Sequence, residues 1–221
     1  MVARSYGQYC GVVSALELVG EKWALLIIRD LLVGPRRFTD LHSGLPKIPT
    51  NVLTARLKTL QEGGVVRRVP LANCGLVYEL TDYGQALEPV VLELGRWGFH
   101  AMGDPEPDDI ITVDSMTMAF RTAFQAEVAR QEADTVYDVH LGPVVLRLTV
   151  AGGSLTVGTV TTAPADIALA AGPPIRELIA DSMTAEAAIA TGIVQIQHGD
   201  PALLNRFART FTISPITAKV S

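Results

Sequence analysis

Apolar and polar positions in the first hundred residues follow helical periods that turn-forming residues interrupt. Along the third periodic stretch, Leu53, Leu57 and Leu60 share one helical face, so that face is expected in a core. The pattern predicts helices over residues 12–33, 38–43 and 51–61.

Two runs of β-prone residues follow, over 65–69 and 76–80, and they predict an antiparallel hairpin. Thr81 is predicted to cap a fourth helix that runs to about Met102. Three helices followed by a hairpin are the order of elements in a winged helix-turn-helix, whose third helix enters the major groove of DNA. DNA binding is therefore the first functional hypothesis.

Residues 103–109 combine turn formers and acidic residues and contain no apolar side chain, so they predict a domain boundary. The expected domains are residues 1–103 and 110–221, and the expected fold class is α+β with a mainly antiparallel sheet in the second domain. His198 is expected in a turn. Strands are predicted over 136–141, 144–150, 154–160, 166–170 and 193–197, and helices over 115–131, 174–181, 184–190 and after Asp200-Pro201.

Charge separates the two halves of the chain. The formal net charge is −5, but residues 1–103 carry eleven Lys and Arg against nine Asp and Glu, whereas the rest carries seven against fourteen. Between Gly34 and Arg68, seven cations face only Asp40 and Glu62. A basic patch is thus predicted around the third helix, where phosphate would lie.

If the three leucines of the third helix face inward, Asn51, Thr54, Ala55 and Lys58 face outward. Asn pairs with adenine edges, Lys reaches guanine or phosphate, and Thr offers a methyl group and a hydroxyl. The alternative is an ordinary solvated surface helix. The predicted DNA-contacting residues are Arg36, Arg37, Thr39, Lys47, Thr50, Asn51, Thr54, Ala55, Arg56, Lys58, Arg67 and Arg68.

Ordered motifs over about residues 10–98 resemble the HxlR-type transcriptional regulators. They are Cys10, the run from Ala15 to Trp23, Leu32-x-Gly34-x-Arg36-Arg37-Phe38, Leu53-x-x-Arg56-Leu57 and Tyr78-x-Leu80-Thr81-x-x-Gly84. The resemblance implies a homodimer that packs through the first and last helices of this module and binds pseudo-palindromic operators. Two departures are Gly11, where a proline is usual, and Pro49, where a serine is usual, which leaves capping to Thr50 or to water.

Cys10 matches a cysteine that some HxlR-type members use to sense electrophiles or oxidants, so the resemblance implies a thiol sensor. The alternative, which the sequence favours, is a buried cysteine that acts as a small apolar residue. Cys10 and Cys74 are expected to be free thiols.

The second half resembles sterol carrier protein-like domains, through its strands and the stretches Thr184 to Gly192 and Gly199 to Phe207. Such a domain implies a pocket for a small apolar effector, whereas a closed core that stabilises a dimer would use the same residues. The candidate pocket residues are Phe120, Phe124, Leu146, Leu148, Ile179 and Phe207.

Other functional classes have little support in the sequence. The four histidines are scattered without a metal-ligand or nucleophile motif, so no enzyme, cofactor or metal site is expected. No apolar run reaches membrane-spanning length and no signal peptide is visible, so a cytoplasmic location without membrane contact is expected. The competing hypothesis is a lipid-binding or protein-interaction protein whose winged helix does not read DNA.

Overall fold

The structure, a computed structural model, describes residues 5–72, 75–106 and 108–215. Its contacts divide the chain into two compact units, residues 1–91 and 92–221. This division falls inside a helix, whereas the sequence pattern placed the boundary at residues 103–109. The domain bounds 1–103 and 110–221 therefore stay a prediction.

The first unit packs helices and a hairpin around one core. Its elements are α1 (Gly11–Val19), α2 (Ala24–Val33), α3 (Phe38–Gly44), α4 (Thr50–Glu62), β1 (Val66–Leu71), β2 (Gly75–Leu80) and α5 (Asp82–Gln85). Strands β1 and β2 pair antiparallel, as predicted. The largest buried aliphatic side chains are Ile27, Ile28, Leu31, Leu41, Ile48, Leu53, Leu57 and Leu60.

The prediction of a single helix over residues 12–33 is wrong, because the helix is interrupted between α1 and α2. Helix α1 ends where the Gly20 N–H donates to the Leu16 carbonyl, and Trp23 then adopts a left-handed conformation with φ of 80°. Val12 and Leu16 on α1 are exposed, whereas Ile27 on α2 is buried. The apolar period therefore joined two separate helical faces.

The helix predicted from Thr81 to about Met102 is also divided. Thr81 Oγ1 accepts the Gly84 N–H at 3.1 Å, which confirms its cap. However, α5 ends at Gln85 and α6 occupies Glu88–Phe99. Pro89 explains the break, since it has no N–H to donate to the Gln85 carbonyl.

The elements after α6 are α7 (Val113–Ala123), α8 (Ala126–Ala129), β3 (Thr135–Leu141), β4 (Val144–Ala151), β5 (Ser154–Gly158), β6 (Ile167–Ala171), α9 (Ile175–Ile179), α10 (Ala185–Ala190), β7 (Val194–Gly199) and α11 (Leu203–Thr210). In the second unit, a five-stranded sheet has the order β5-β4-β3-β6-β7. Only the β3–β6 pairing is parallel among its described strands, so a mainly antiparallel sheet is confirmed. His198 lies in β7 opposite Ala168, which corrects its expected turn position.

The helix predicted over residues 115–131 is interrupted between α7 and α8. Phe124 is extended and forms a β-bridge with Phe211, and the Gln125 N–H donates to the Thr210 carbonyl. These tertiary hydrogen bonds replace the helical ones. Among the described residues, no helix is long and apolar enough to cross a membrane.

Candidate functional site

Helix α4 presents the predicted polar face. Leu53, Leu57 and Leu60 are at most 1% exposed, and they hold one side of the helix in the core of the first unit. Asn51, Thr54 and Lys58 are exposed, whereas Ala55, which the pattern also placed on the outward side, is half-buried. The structure therefore brings together the side chains with hydrogen-bonding chemistry suited to base edges, on a helix that its own core fixes.

The N-terminus of α4 lacks a side-chain cap, because Pro49 occupies the N-cap position. The Val52 and Leu53 N–H groups donate to the Pro49 carbonyl. Thr50 does not cap the helix, since it lies inside it and its hydroxyl lies 3.4 Å from His42 Nε2. The capping role expected of Thr50 is thus corrected, and the first turn keeps the positive end of the helix dipole open to an anion.

Within the part of the chain that the structure describes, Arg56, Arg67 and Lys58 pair with acidic side chains. Arg56 pairs with Glu21 at 2.9 Å, and its side chain is only 22% exposed. Arg67 pairs with Glu79 across the hairpin at 2.7 Å. The third pair joins Lys58 to Glu62 one turn later, with Nζ and Oε1 at 3.7 Å and both side chains well exposed. Sequence reasoning missed Glu21 and Glu79, because neither lies within the basic segment.

The remaining predicted contacts lie around α3 and the hairpin. Arg37 precedes α3, and its N–H donates to Asp40 Oδ2 at 2.9 Å. Thr39 is exposed on α3, and Lys47 is exposed in the turn before α4. Arg36 and Arg68 both neighbour Tyr78, a residue that the contact set had omitted.

The candidate effector residues of the second unit are mostly interior. Phe120, Leu146, Leu148 and Phe207 are at most 2% exposed, and the Phe120 and Phe207 ring centroids are 6.2 Å apart in a T-shaped arrangement. Phe124 and Ile179 are partly buried against the same core. This packing favours the closed-core alternative, and the apolar pocket stays a prediction.

A groove of about 380 Å³ in the second unit is lined by none of these six residues. It is bordered by Glu93, Arg96, Trp97, His100, Gln125, Ile213 and Ser214. Arg96 and Glu93 form an ion pair with each other at its edge. Within the described ranges, no cluster of His, Cys, Asp and Glu could hold a metal ion.

Cys10 is exposed at the start of α1, which corrects the expectation of a buried cysteine. The backbone N–H groups of Val13 and Val12 favour the thiolate and hold the pKa of the Cys10 thiol below its ordinary value. Cys74 lies outside the described residues. Thiol sensing by Cys10 remains a prediction.

Comparison with known proteins identifies relatives of the N-terminal part of the chain. The family model described as HxlR-like helix-turn-helix matches residues 18–105. The chain is 38% identical over 85 residues to the uncharacterized HTH-type transcriptional regulator YvaP of Bacillus subtilis, a match that covers 38% of this chain and 79% of YvaP. It is 37% identical over 86 residues to the HTH-type transcriptional regulator YodB of the same organism, covering 38% of this chain and 77% of YodB.

Among solved structures, the redox regulator HypR in its oxidized form is 31% identical. That match covers 43% of this chain and 100% of the HypR chain, with a TM-score of 0.40.

The lowered pKa of Cys10 predicts alkylation at lower pH than for an ordinary cysteine. The rate of iodoacetamide labelling at Cys10, followed by peptide mass spectrometry, should rise at lower pH in the folded protein than in denaturant. Val13→Pro removes one of the two N–H groups at a first-turn position that tolerates proline, so it should shift this profile back toward higher pH. Identical profiles in folded and denatured protein would contradict the prediction.

Proposed function

The chain belongs to the HxlR-like helix-turn-helix family, and on this premise we propose that it is a transcriptional regulator that binds operator DNA as a homodimer. The observation that carries the proposal is α4, whose buried leucines direct Asn51, Thr54 and Lys58 outward. In this proposal α4 enters the major groove and the β1–β2 hairpin lies beside it.

Base reading falls to the exposed side of α4. The carboxamide of Asn51 can donate to and accept from an adenine edge, and the Thr54 methyl group suits thymine. The Thr54 hydroxyl donates to the Thr50 carbonyl at 2.9 Å, so its rotamer is already restrained. Ala55 is small enough to allow a base close to the helix.

Phosphate binding falls to groups around this helix. The uncapped N-terminus of α4 offers N–H groups to a backbone phosphate, and Lys47 lies just before it. Arg37 lies at the start of α3, which crosses the DNA backbone in this architecture. Arg56 and Arg67 stay in the proposed contact set, but Glu21 and Glu79 compete with DNA for their guanidinium groups.

Exposed apolar side chains support the proposed homodimer. On α1, Val12 and Leu16 are 68% and 45% exposed one turn apart. On α6, Val90, Leu94 and Trp97 are exposed at helical spacing, and no residue of this helix is fully buried. Apolar stripes of this kind are covered in a partner interface. A second copy of the chain presents a second α4, which implies two half-sites related by a pseudo-twofold axis.

The competing hypothesis is a lipid-binding or protein-interaction protein. It explains the exposed apolar helices but gives no role to the polar face and open N-terminus of α4. Control of the regulator by a small apolar effector remains a further prediction, and the packing of Phe120 and Phe207 gives it no support.

Selection on random duplex DNA tests the proposed function directly. The purified chain should enrich pseudo-palindromic sequences whose half-sites lie roughly one or two helical turns apart. Its affinity for them should fall as salt rises, because phosphate contacts release counterions. Failure to enrich any sequence over competitor DNA at moderate ionic strength would sink the proposal.

Two substitutions should separate base reading from phosphate binding. Asn51→Ala should relax preference at one position per half-site, at a cost of about 1–3 kcal/mol. Lys47→Ala should weaken binding to all sequences alike. It should also reduce the slope of log K against log salt concentration by about 0.9 for each half-site. Binding curves on the selected duplex and its single-base variants distinguish these outcomes. Equal losses on every sequence for both variants would show that Asn51 does not read bases.

The apolar stripe on α1 should hold the dimer together. Leu16→Glu puts a charge into the proposed interface, so sedimentation should change from dimer to monomer. Binding to a duplex with two half-sites should weaken, while binding to a single half-site should remain. Val160→Glu is the matched control, since Val160 is similarly exposed at 42% but lies outside α1 and α6. Unchanged sedimentation of the Leu16 variant would contradict the assigned interface.

A further inference from the structure

The hairpin pairs with a segment outside itself at Tyr78. The Arg36 N–H donates to the Tyr78 carbonyl at 3.0 Å, and the Tyr78 N–H donates to the Arg36 carbonyl at 2.8 Å. On the other side of β2, Tyr78 lies opposite Arg68 of β1. Directly paired residues project their side chains to the same face of a sheet. Arg36, Tyr78 and Arg68 therefore form one row with the tyrosine in its middle.

The two neighbours of Tyr78 are paired differently. Arg36 uses both backbone hydrogen-bonding groups of Tyr78, so the pair of Tyr78 with Arg68 is of the non-hydrogen-bonded kind, in which side chains approach most closely. Accordingly, the guanidinium carbon of Arg68 lies over the Tyr78 ring, 5.7 Å from its centroid. A guanidinium stacked on an aromatic face keeps its N–H edges available to an oxyanion.

The adjacent polar groups of this row are available for such a ligand. In the ranges that the structure describes, the Tyr78 hydroxyl has no hydrogen-bond partner, and it is not among the buried polar atoms. Arg68 likewise has no carboxylate partner among the described residues, whereas the preceding Arg67 is held by Glu79 at 2.7 Å. Of two successive arginines on β1, Arg67 is thus neutralised by a carboxylate and Arg68 is not, within the described residues.

We propose that Tyr78 and Arg68, with Arg36 adding positive charge from the other side, bind a phosphate of the DNA backbone at the base of the hairpin. The phenol donates one hydrogen bond to a phosphate oxygen, and the guanidinium edge of Arg68 donates to the same group. Tyr78 has two roles, since its ring also orients Arg68. This site rests on the proposed function. It adds the uncharged Tyr78 hydroxyl to the Lys and Arg side chains proposed to contact phosphate.

The test compares Tyr78→Phe with Arg68→Ala on the selected duplex by fluorescence anisotropy at several salt concentrations. Tyr78→Phe keeps the ring beneath Arg68 but removes the hydroxyl. It should raise Kd about tenfold for each half-site, the loss of one hydrogen bond to a charged acceptor per protomer, on every sequence alike. The salt slope should not change, because a neutral hydroxyl releases no counterion.

Arg68→Ala should also weaken binding to every sequence, and it should reduce the slope of log K against log salt concentration by about 0.9 for each half-site. The double variant should lose less than the product of the two single losses, because both groups bind one phosphate. Tyr83→Phe is the matched control, because Tyr83 is an exposed tyrosine of the same unit outside the row, and it should bind as wild type.

The proposed site is overturned if Tyr78→Phe binds as wild type does, if its loss depends on base sequence, or if the two single losses multiply independently. Each of these results leaves wild-type DNA binding intact, so the proposed function survives them. A wild-type chain that enriches no duplex overturns both.

Discussion

Burial of Leu53, Leu57 and Leu60 sets the rotation of α4 about its axis, and the proposed interface depends on that rotation. Each fully buried leucine contributes about 1.5–3 kcal/mol relative to an exposed one. A rotation that exposed the leucines would cost several kcal/mol, so Asn51, Thr54 and Lys58 can occupy only the outward side. The same burial aims the helix N-terminus, where Pro49 leaves the first turn without a side-chain cap.

Backbone hydrogen bonds hold the hairpin against the helical part of its unit. Arg36, which follows α2, pairs with Tyr78 of β2 through both backbone groups. This bridge fixes the register of the hairpin against the segment that enters α3. It therefore places a tyrosine between two arginines, an arrangement that joins the hairpin to the segment before α3.

The cations near α4 differ in their pairing, although the composition of the segment shows only an excess of basic residues. Arg56 and Arg67 are paired with Glu21 and Glu79, and each acid lies outside the basic run. Such exposed or half-exposed pairs stabilise a fold little, because solvent screens them. Their consequence is a set of cations that are unequally available to phosphate, with Lys47 and Arg68 among the more available ones.

The sequence by itself determined the helices α3 and α4, the hairpin, the Thr81 cap and the outward face of α4, because each depends on local periodicity or on a short capping motif. It also indicated a mainly antiparallel second sheet. Pro89 accounts for the break between α5 and α6, but only the tertiary structure decided the other helix breaks, since the extended Phe124 is held by Phe211 and the left-handed Trp23 lies inside an unbroken apolar period. The exposure of Cys10, the acidic partners of Arg56 and Arg67, and the row around Tyr78 were decided there too. Each depends on how elements pack or pair in space, and periodicity along one element carries no information about that.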